Sequence, residues 1–457
     1  MDIDSEIPES RAIVRQPAAT HRNPERHNGV MRRLGGLLVL VAALAVPALS
    51  QAAGVDETCQ LTATRFDADT VNVLFPDQSA QYWSASYVAL PGTRIRIDGI
   101  FPYARYTSWN VYDPILRPFA KLSDYQLTPD PGSSNPFLSG ASRTTPPEQR
   151  HYTLFITFSP NDHPGPNTIY VDPTQHPAGV FTLRVYVPDA GRDITGGVGL
   201  PLLTWEPTTA IGLPTLASPC RLLEKPSSSI LTDLYAALPG PFGGPPFPGR
   251  NPPVWRKFVN ICQSGGDLLL DNAIGDLLPL ASQNPCGAFG SGGFLSNIDN
   301  SYVYALMSRG FGPLVVFHGR APTFANTYPH APSMPAGVQV RYWSFCQNDP
   351  VDQRYIACKR DDQIAVDRAG DYTIVVSQPS GWPAAASRRC GKKITWLPWG
   401  PQPDGVVIYR QMVADPSFTQ AIQNVAHGSE RQQMGPYYPG GQYVQSWHAI
   451  ARAYCRA

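Results

Sequence analysis

From Thr93 to Asp98 the chain alternates, with Arg94, Arg96 and Asp98 on one side and Ile95 and Ile97 on the other. That is the period-2 pattern of a half-buried strand, and Gly92 and Gly99 bound it as turns. Leu314-Val315-Val316-Phe317 lacks the alternation and is apolar throughout. It predicts a strand buried on both faces, under the connector or the other copy described below. Tyr152–Phe158, Phe181–Val187 and Tyr372–Ser377 carry β-branched and aromatic residues between Gly or Pro breakers and predict further strands. Helical spacing is scarce. Asp415-Pro416 offers an N-cap and a Pro at the first helical position. Phe418, Ile422 and Val425 then share one face, which predicts a short C-terminal helix. Ser229–Leu238 and Val254–Cys262 read as short helices flanking the Pro/Gly run Leu238–Gly249, and Gly287–Gly293 reads as a Gly/Ser tract.

The strand-like segments repeat. Phe75–Pro102 aligns without gaps on Leu295–Pro322 at an offset of 220, pairing Tyr82 with Tyr302, Gly92 with Gly312, Gly99 with Gly319 and Asp77 with Asn297. Further on, Arg105-Tyr106-Thr107-Ser108-Trp109 with Asp113-Pro114 matches Arg341-Tyr342-Trp343-Ser344-Phe345 with Asp349-Pro350 at an offset of 236. The second copy therefore carries 16 extra residues between the blocks, around Tyr328 to Gly337. A third block matches Gly179–Pro188 with Gly370–Pro379. Repeats of this length imply a duplicated unit.

The predicted fold is all-β, mainly antiparallel. Two tandem β-sandwich modules from an internal duplication are joined by a Pro/Gly-rich, partly helical connector, with a short C-terminal helix. Residues 1–30 read as a mis-called N-terminal extension, 31–52 as a signal peptide and 53–218 as the first module. Residues 219–293 read as the connector and 294–457 as the second module. The 48 prolines in 457 residues support this reading, since Pro breaks helix interiors.

Met31-Arg32-Arg33, the apolar run Leu34–Leu49 and Ser50-Gln51-Ala52-Ala53 have the order of a secretory signal, with cleavage after Ala52. The run contains Pro47 and is short for a membrane span, so the mature chain is expected to carry no transmembrane segment. The expected location is secreted or periplasmic, in a bacterium. Residues 1–52 hold six Arg and five acids, so 36 − 6 and 35 − 5 leave 30 bases against 30 acids. Such a balance disfavours nucleic acid as a partner and implies no electrostatic recruitment by membranes or polyanions.

All eight cysteines follow the signal: Cys59, Cys220, Cys262, Cys286, Cys346, Cys358, Cys390 and Cys455. An even count in an oxidising compartment reads as disulfides. Sequential pairing is one of 105 connectivities that eight cysteines allow; it gives Cys59–Cys220, Cys262–Cys286, Cys346–Cys358 and Cys390–Cys455. No C-x-x-C or His partner at zinc spacing is present, and no metal or other cofactor is expected.

The duplicated block is the sharpest chemical constellation. Arg105, Tyr106, Trp109 and Asp113, with Arg341, Tyr342, Trp343 and Asp349, supply aromatic rings beside guanidinium and carboxylate groups, the set that sugar rings need. These eight are the candidate ligand-binding residues. The same residues suit a strand whose Arg pairs with a carboxylate and whose aromatic fills the core. Asn161–Gly165, with His163, reads as a polar loop, His318 as a core histidine, and Asp361-Asp362 as a solvated turn. Trp396–Gly400 reads as a hydrophobic turn against a sheet. No nucleophile elbow, H-E-x-x-H or phosphate loop occurs, and no catalytic residue is assigned.

The Arg105–Pro114 block, with the Phe181–Thr195 segment and the Leu183–Leu200 run, resembles a group of uncharacterised exported bacterial proteins of the domain-of-unknown-function type. The resemblance implies export and a β-rich fold and transfers no functional residue. Three readings follow. The first is a non-enzymatic exported protein that binds a carbohydrate or another envelope component. The second is an envelope hydrolase working between the modules, with His163 or His318 near a Ser or carboxylate. The third is a structural or protein-interaction role without a small ligand.

Overall fold

The computed structural model describes residues 65–67, 69, 72, 74–208, 249–260, 263–264, 292–293, 295–350, 353–391 and 393–455. The alternation over 93–98 becomes a strand whose residues are buried and half-buried in turn. In chain order the first nine strands are β1 (Arg65–Asp67), β2 (Ala80–Val88), β3 (Thr93–Ile100), β4 (Ala104–Tyr112), β5 (Pro118–Ser123), β6 (His151–Thr157), β7 (Thr168–Tyr170), β8 (Ala178–Pro188) and β9 (Leu202–Pro207). The next nine are β10 (Trp255–Lys257), β11 (Asn300–Ser308), β12 (Leu314–Arg320), β13 (Val340–Asn348), β14 (Tyr355–Arg360), β15 (Asp371–Ser377), β16 (Thr395–Pro398), β17 (Asp404–Ala414) and β18 (Gly440–Val444). Three short helices, α1 (Ala384–Cys390), α2 (Glu430–Met434) and α3 (Trp447–Tyr454), lie among the last of these.

The strands form two five-stranded and two four-stranded sheets. The five-stranded orders are β1-β2-β8-β4-β5 and β10-β11-β17-β13-β14; the four-stranded orders are β7-β6-β3-β9 and β16-β15-β12-β18. Adding nine to each label of the first pair reproduces the second. The pairing is antiparallel except β6 with β7 and β15 with β16. Each half packs its two sheets face to face. Trp83, Ile95, Trp109, Leu154 and Phe181 fill the first core; Trp255, Phe317, Phe345, Ile374 and Tyr409 fill the second. A fully buried side chain of this size contributes about 1.5–3 kcal/mol, so these clusters dominate the stability of each half.

A third cluster joins the halves. Tyr82, Tyr106, Tyr112 and Tyr186 of the first five-stranded sheet meet Tyr342 and Met412 of the second and Leu295, which precedes β11. The two five-stranded sheets therefore lie back to back, which is why β4 is buried on both faces along its whole length.

Two glycines of the repeat have a direct steric cause. A Cβ on Gly99 would collide with the Tyr152 ring, and one on Gly319 would lie 2.9 Å from the Tyr372 hydroxyl. Tyr152 and Tyr372 sit directly opposite these glycines on the neighbouring strands.

Several expectations need correcting. The third repeat block pairs β8 with β15, which hold different places: β8 is central in a five-stranded sheet, and β15 lies beside β12 in a four-stranded one. The topological counterpart of β8 is β17. Leu314–Phe317 is buried on both faces, but its cover is α1 and α3, through Ala386, Cys390, Ile450 and Ala451. Within Val254–Cys262, Trp255–Lys257 is an edge strand, not a helix. The stretch from Asp415 forms turns and one 3-10 turn, Ile422–Asn424. Asp415 Oδ1 accepts from the Ser417 amide at 2.9 Å, closing a local turn in place of a helix start. Phe418, Ile422 and Val425 still enter the second core. Asp361 is buried rather than solvated. Trp396 lies on β16, and Trp399 beyond it is buried.

Cys346–Cys358 joins directly opposed residues of β13 and β14, with Cα atoms 4.0 Å apart. Cys390–Cys455 ties the end of α1 to the residue after α3. The two remaining pairs, the extension, the signal segment, the Ser229–Leu238 helix and most of the two Gly-rich runs lie outside the described residues. No helix among the described residues is long and apolar enough to cross a membrane.

Candidate functional site

The eight block residues converge on the junction of the five-stranded sheets and the cores behind it. Arg105, at the start of β4, is fully buried and forms an ion pair with Asp361. Its Nε donates to Thr327 Oγ1 at 3.3 Å, and its guanidinium lies 5.4 Å from the Phe324 ring. Arg341, one residue into β13, forms the converse ion pair with Asp124. Each acceptor sits in a 3-10 turn after the hairpin partner strand, Asp124 after β5 and Asp361 after β14. Each also accepts a backbone N–H from its own half: Thr107 to Asp124 at 2.7 Å and Trp343 to Asp361 at 3.3 Å.

The reciprocity extends across the junction. Tyr342 donates to Asp77 Oδ2 at 2.8 Å, and Ser344 to the same oxygen at 2.6 Å. Tyr106 donates to Asp299 Oδ2 at 2.7 Å and to Asn297 Oδ1 at 3.3 Å. Arg410 of β17 donates to the Phe75 carbonyl at 2.7 Å, while Arg184 of β8 donates to the Leu295 carbonyl and, at 2.5 Å, to the Tyr112 hydroxyl. The Phe75 amide bonds the Gln353 carbonyl at 2.7 Å, and the Leu295 amide bonds the Leu116 carbonyl at 3.3 Å. All four of these backbone partners have positive φ, 53° and 52° at Phe75 and Leu295, 63° and 59° at Leu116 and Gln353. Val187 and Val413 follow the same rule, both at 50°. A β-branched residue in that region is strained, and only the surrounding packing holds it there.

The other block residues serve the cores and turns. Trp109 fills the first core and donates through Nε1 to the Tyr152 hydroxyl at 3.1 Å. Trp343 fills the second, its ring centroid 5.8 Å from that of Tyr372. Asp113 caps the β4–β5 turn, accepting from the Ile115 and Arg117 amides at 3.0 and 2.9 Å and pairing with the Arg117 side chain. Asp349 is buried in the matching turn, its amide bonded to the Arg354 carbonyl at 2.9 Å. Seven of the eight are buried; Arg341 is half-buried. None turns an exposed ring face to solvent.

Burial dominates the electrostatics. It pushes the Asp124 carboxyl up to about 6, against the opposing pull of Arg341 and the Thr107 amide. Asp361 is raised by the same cause, opposed by Arg105. Tyr106 and Tyr342 are held well above the usual phenol range by burial and by the carboxylates of Asp299 and Asp77. Tyr106 and Tyr342 therefore stay protonated near neutral pH and act as hydrogen-bond donors.

The β13–β14 and β4–β5 hairpins differ in chemistry at one matched cross-strand pair. Where β13 and β14 carry the Cys346–Cys358 bridge, β4 and β5 carry Asn110 opposite Lys121. Lys121 pairs with Asp299, which also accepts from Ser123 and, at 3.0 Å, from Tyr125. Burial would lower the Lys121 amine, but Asp299 overcomes it and holds the amine above the usual lysine range. Asp77, Cys346 and Cys358 place their ligand atoms within 4.8 Å of one another, but both sulfurs are spent in the bridge.

His448 Nδ1 lies 3.1 Å from the Oγ of Ser446, the N-cap residue of α3. His163 is exposed, and His318 Nδ1 lies 3.1 Å from Thr373 Oγ1. Asp124, Asp299, Arg184 and Arg410 belong to the junction although no sequence reading singles them out. A signal for Arg184 and Arg410 was present: each is a lone charge within an apolar run, F-T-L-R-V and V-V-I-Y-R. Asp124 and Asp299 carry none.

No protein-family model matches this sequence, and no curated protein matches it. Among solved structures, the chain is similar to an uncharacterised protein from Burkholderia cenocepacia, at 12% identity and TM-score 0.48, over 94% of this chain and 92% of that one. It is also similar to a protein from Vibrio parahaemolyticus, at 12% identity and TM-score 0.39, over 82% of this chain and 92% of that one. Neither likeness bears on function.

Proposed function

We propose that this chain is an exported, non-enzymatic scaffold of two duplicated β-sandwich modules, with the Arg-Tyr-x-Ser block serving as the clamp between them. The observation that carries this reading is the reciprocity of the junction. Arg105 with Asp361, and Arg341 with Asp124, are the same contact made once in each direction. An interface between two copies of one unit has this property, because each surface must complement itself. The matched strand orders support the duplication.

Export is supported by the two bridges, both between buried or half-buried cysteines, which persist in oxidising compartments. The Met31–Ala52 segment supplies the address. An envelope component, a glycan included, is the partner class such a scaffold would meet. It would be met on surfaces outside the block, since the rings of the block are consumed by packing.

The test is a glycan array probed with the wild-type chain and with Arg341→Met. The scaffold reading expects no glycan whose retention depends on Arg341, and expects the variant to unfold at lower urea. A glycan retained by wild type and lost by a variant of unchanged stability overturns it.

A further inference from the structure

We propose that the helical cap of the second half, α1 with α3, docks on an anionic lipid surface through the guanidinium groups of Arg388, Arg389 and Arg452. The inference goes beyond the scaffold reading and does not depend on it.

The cap is chemically unlike the rest of the chain. Between Asp371 and Asp404 the sequence has no acid but contains Arg388, Arg389, Lys392 and Lys393. After Glu430 it has no acid to its end but contains Arg431, Arg452 and Arg456. In a chain with 36 bases and 35 acids this is a strong local excess. The fold brings the two stretches together. Ala386 and Cys390 of α1, and Ile450 and Ala451 of α3, bury themselves over Leu314, Val316 and Val375, and the Cys390–Cys455 bridge closes the pair. Arg388, Arg389 and Arg452 are left on the outer side, exposed. None of the three has an ion pair or side-chain hydrogen bond among the described residues. By contrast, Arg65, Arg94, Arg105, Arg143, Arg341 and Arg360 all pair with acids.

The shape favours a lipid surface over a soluble polyanion. Two short helices lying on a sheet form an outer layer, and a long polyanion calls for an extended basic track, which the balanced remainder of the chain does not extend. The apolar faces of α1 and α3 are already spent on β12 and β15, so the contact is with headgroup phosphates and not by insertion. Trp447, half-buried and stacked on the exposed His448 at 3.9 Å between ring centroids, stands at the start of α3. Aromatic rings with a polar edge belong at the level of lipid headgroups. Each basic residue near an anionic leaflet raises partitioning about fivefold.

The experiment is co-sedimentation of the full mature chain with phosphatidylcholine vesicles, with and without about one-third phosphatidylglycerol. We expect binding only to the anionic vesicles, lost when salt is raised several-fold above physiological strength. The triple variant Arg388→Glu, Arg389→Glu, Arg452→Glu should bind at least roughly 100-fold more weakly, with its near-ultraviolet circular dichroism unchanged. The corresponding triple Lys variant should bind as wild type does, which separates loss of charge from loss of fold. Absence of binding, equal binding to neutral vesicles, binding indifferent to charge reversal, or capture by soluble heparin without vesicle binding would each overturn the proposal.

Discussion

Arg105 meets its counter-charge in Asp361, 256 residues further along the chain, with both side chains fully buried. The Arg341–Asp124 pair spans 217 residues in the other direction. The two ion pairs therefore join β4 to the turn after β14, and β13 to the turn after β5.

Removing one member leaves a buried charge unpaired, which costs far more than the intact pair contributes. Asp361→Asn is expected to lower the unfolding free energy by about 3–5 kcal/mol. The double variant Arg105→Met, Asp361→Leu should lose much less. Urea unfolding of both checks this, and a cost below about 1 kcal/mol for Asp361→Asn would remove the pair from the account of the junction.

Asp124 gives the junction a pH dependence of defined sign. Its carboxyl is raised by burial to about 6 in the folded chain, against about 3.9 when unfolded. The folded state thus holds the proton more tightly. Its contribution to stability is present below about pH 4 and is lost as pH rises to about 6. Over that window the group removes on the order of 3 kcal/mol. Asp124→Asn should flatten the fall in stability between pH 4 and 6, measured by urea unfolding at each pH. An unchanged slope would mean that Asp124 titrates as an ordinary acid.

The two bridges differ in what they close. Cys390–Cys455 closes 65 residues and Cys346–Cys358 only 12. By chain entropy their removal costs about 4 and about 3 kcal/mol. Cys390→Ala, Cys455→Ala should also release α3, because its cover over Leu314 and Val316 depends on that closure. Limited proteolysis should then cut near Arg452 first. Cys346→Ala, Cys358→Ala should leave α3 protected.

Much of the architecture was legible because it depends on local pattern. The alternation around Ile95 and Ile97 specifies a strand wherever it sits, and the Gly99 and Gly319 repeat reflects a tyrosine over each. The block chemistry was legible as type, an arginine seeking a carboxylate, but the partner was not, since Asp361 and Asp124 are distant and each looks like a turn acid. The third repeat block failed for a physical reason. F-T-L-R-V and Y-T-I-V-V are both strands buried on two faces, so alternation is gone and nothing separates β8 from β15. The stretch after Asp415 has helical spacing of its apolar residues, but the Ser417 hydroxyl and amide both turn back to the Asp415 carboxylate. That local bond competes with the helix.

Gly99 offers a direct check on the close approach of β3 and β6. A Cβ there would collide with the Tyr152 ring, which is fully buried between Trp109 and Phe101, with its hydroxyl accepting from Trp109 Nε1. The ring has no free volume to enter, so either the strands part or the rotamer fails, a strain of about 1–3 kcal/mol or more. At Gly319 the nearest atoms are the Tyr372 hydroxyl at 2.9 Å and the Tyr438 backbone carbonyl at 3.1 Å, a milder encounter than the one at Gly99. Gly99→Ala is therefore expected to destabilise more than Gly319→Ala, and removing the hydroxyl in Gly319→Ala, Tyr372→Phe should recover part of the second loss, the Tyr438 carbonyl remaining in the way. The corresponding Gly99→Ala, Tyr152→Phe should recover little, because the ring carbons and not the oxygen alone stand in the way. Equal costs at both glycines, or full rescue at Gly99, would show that β3 and β6 can separate at no expense to the core.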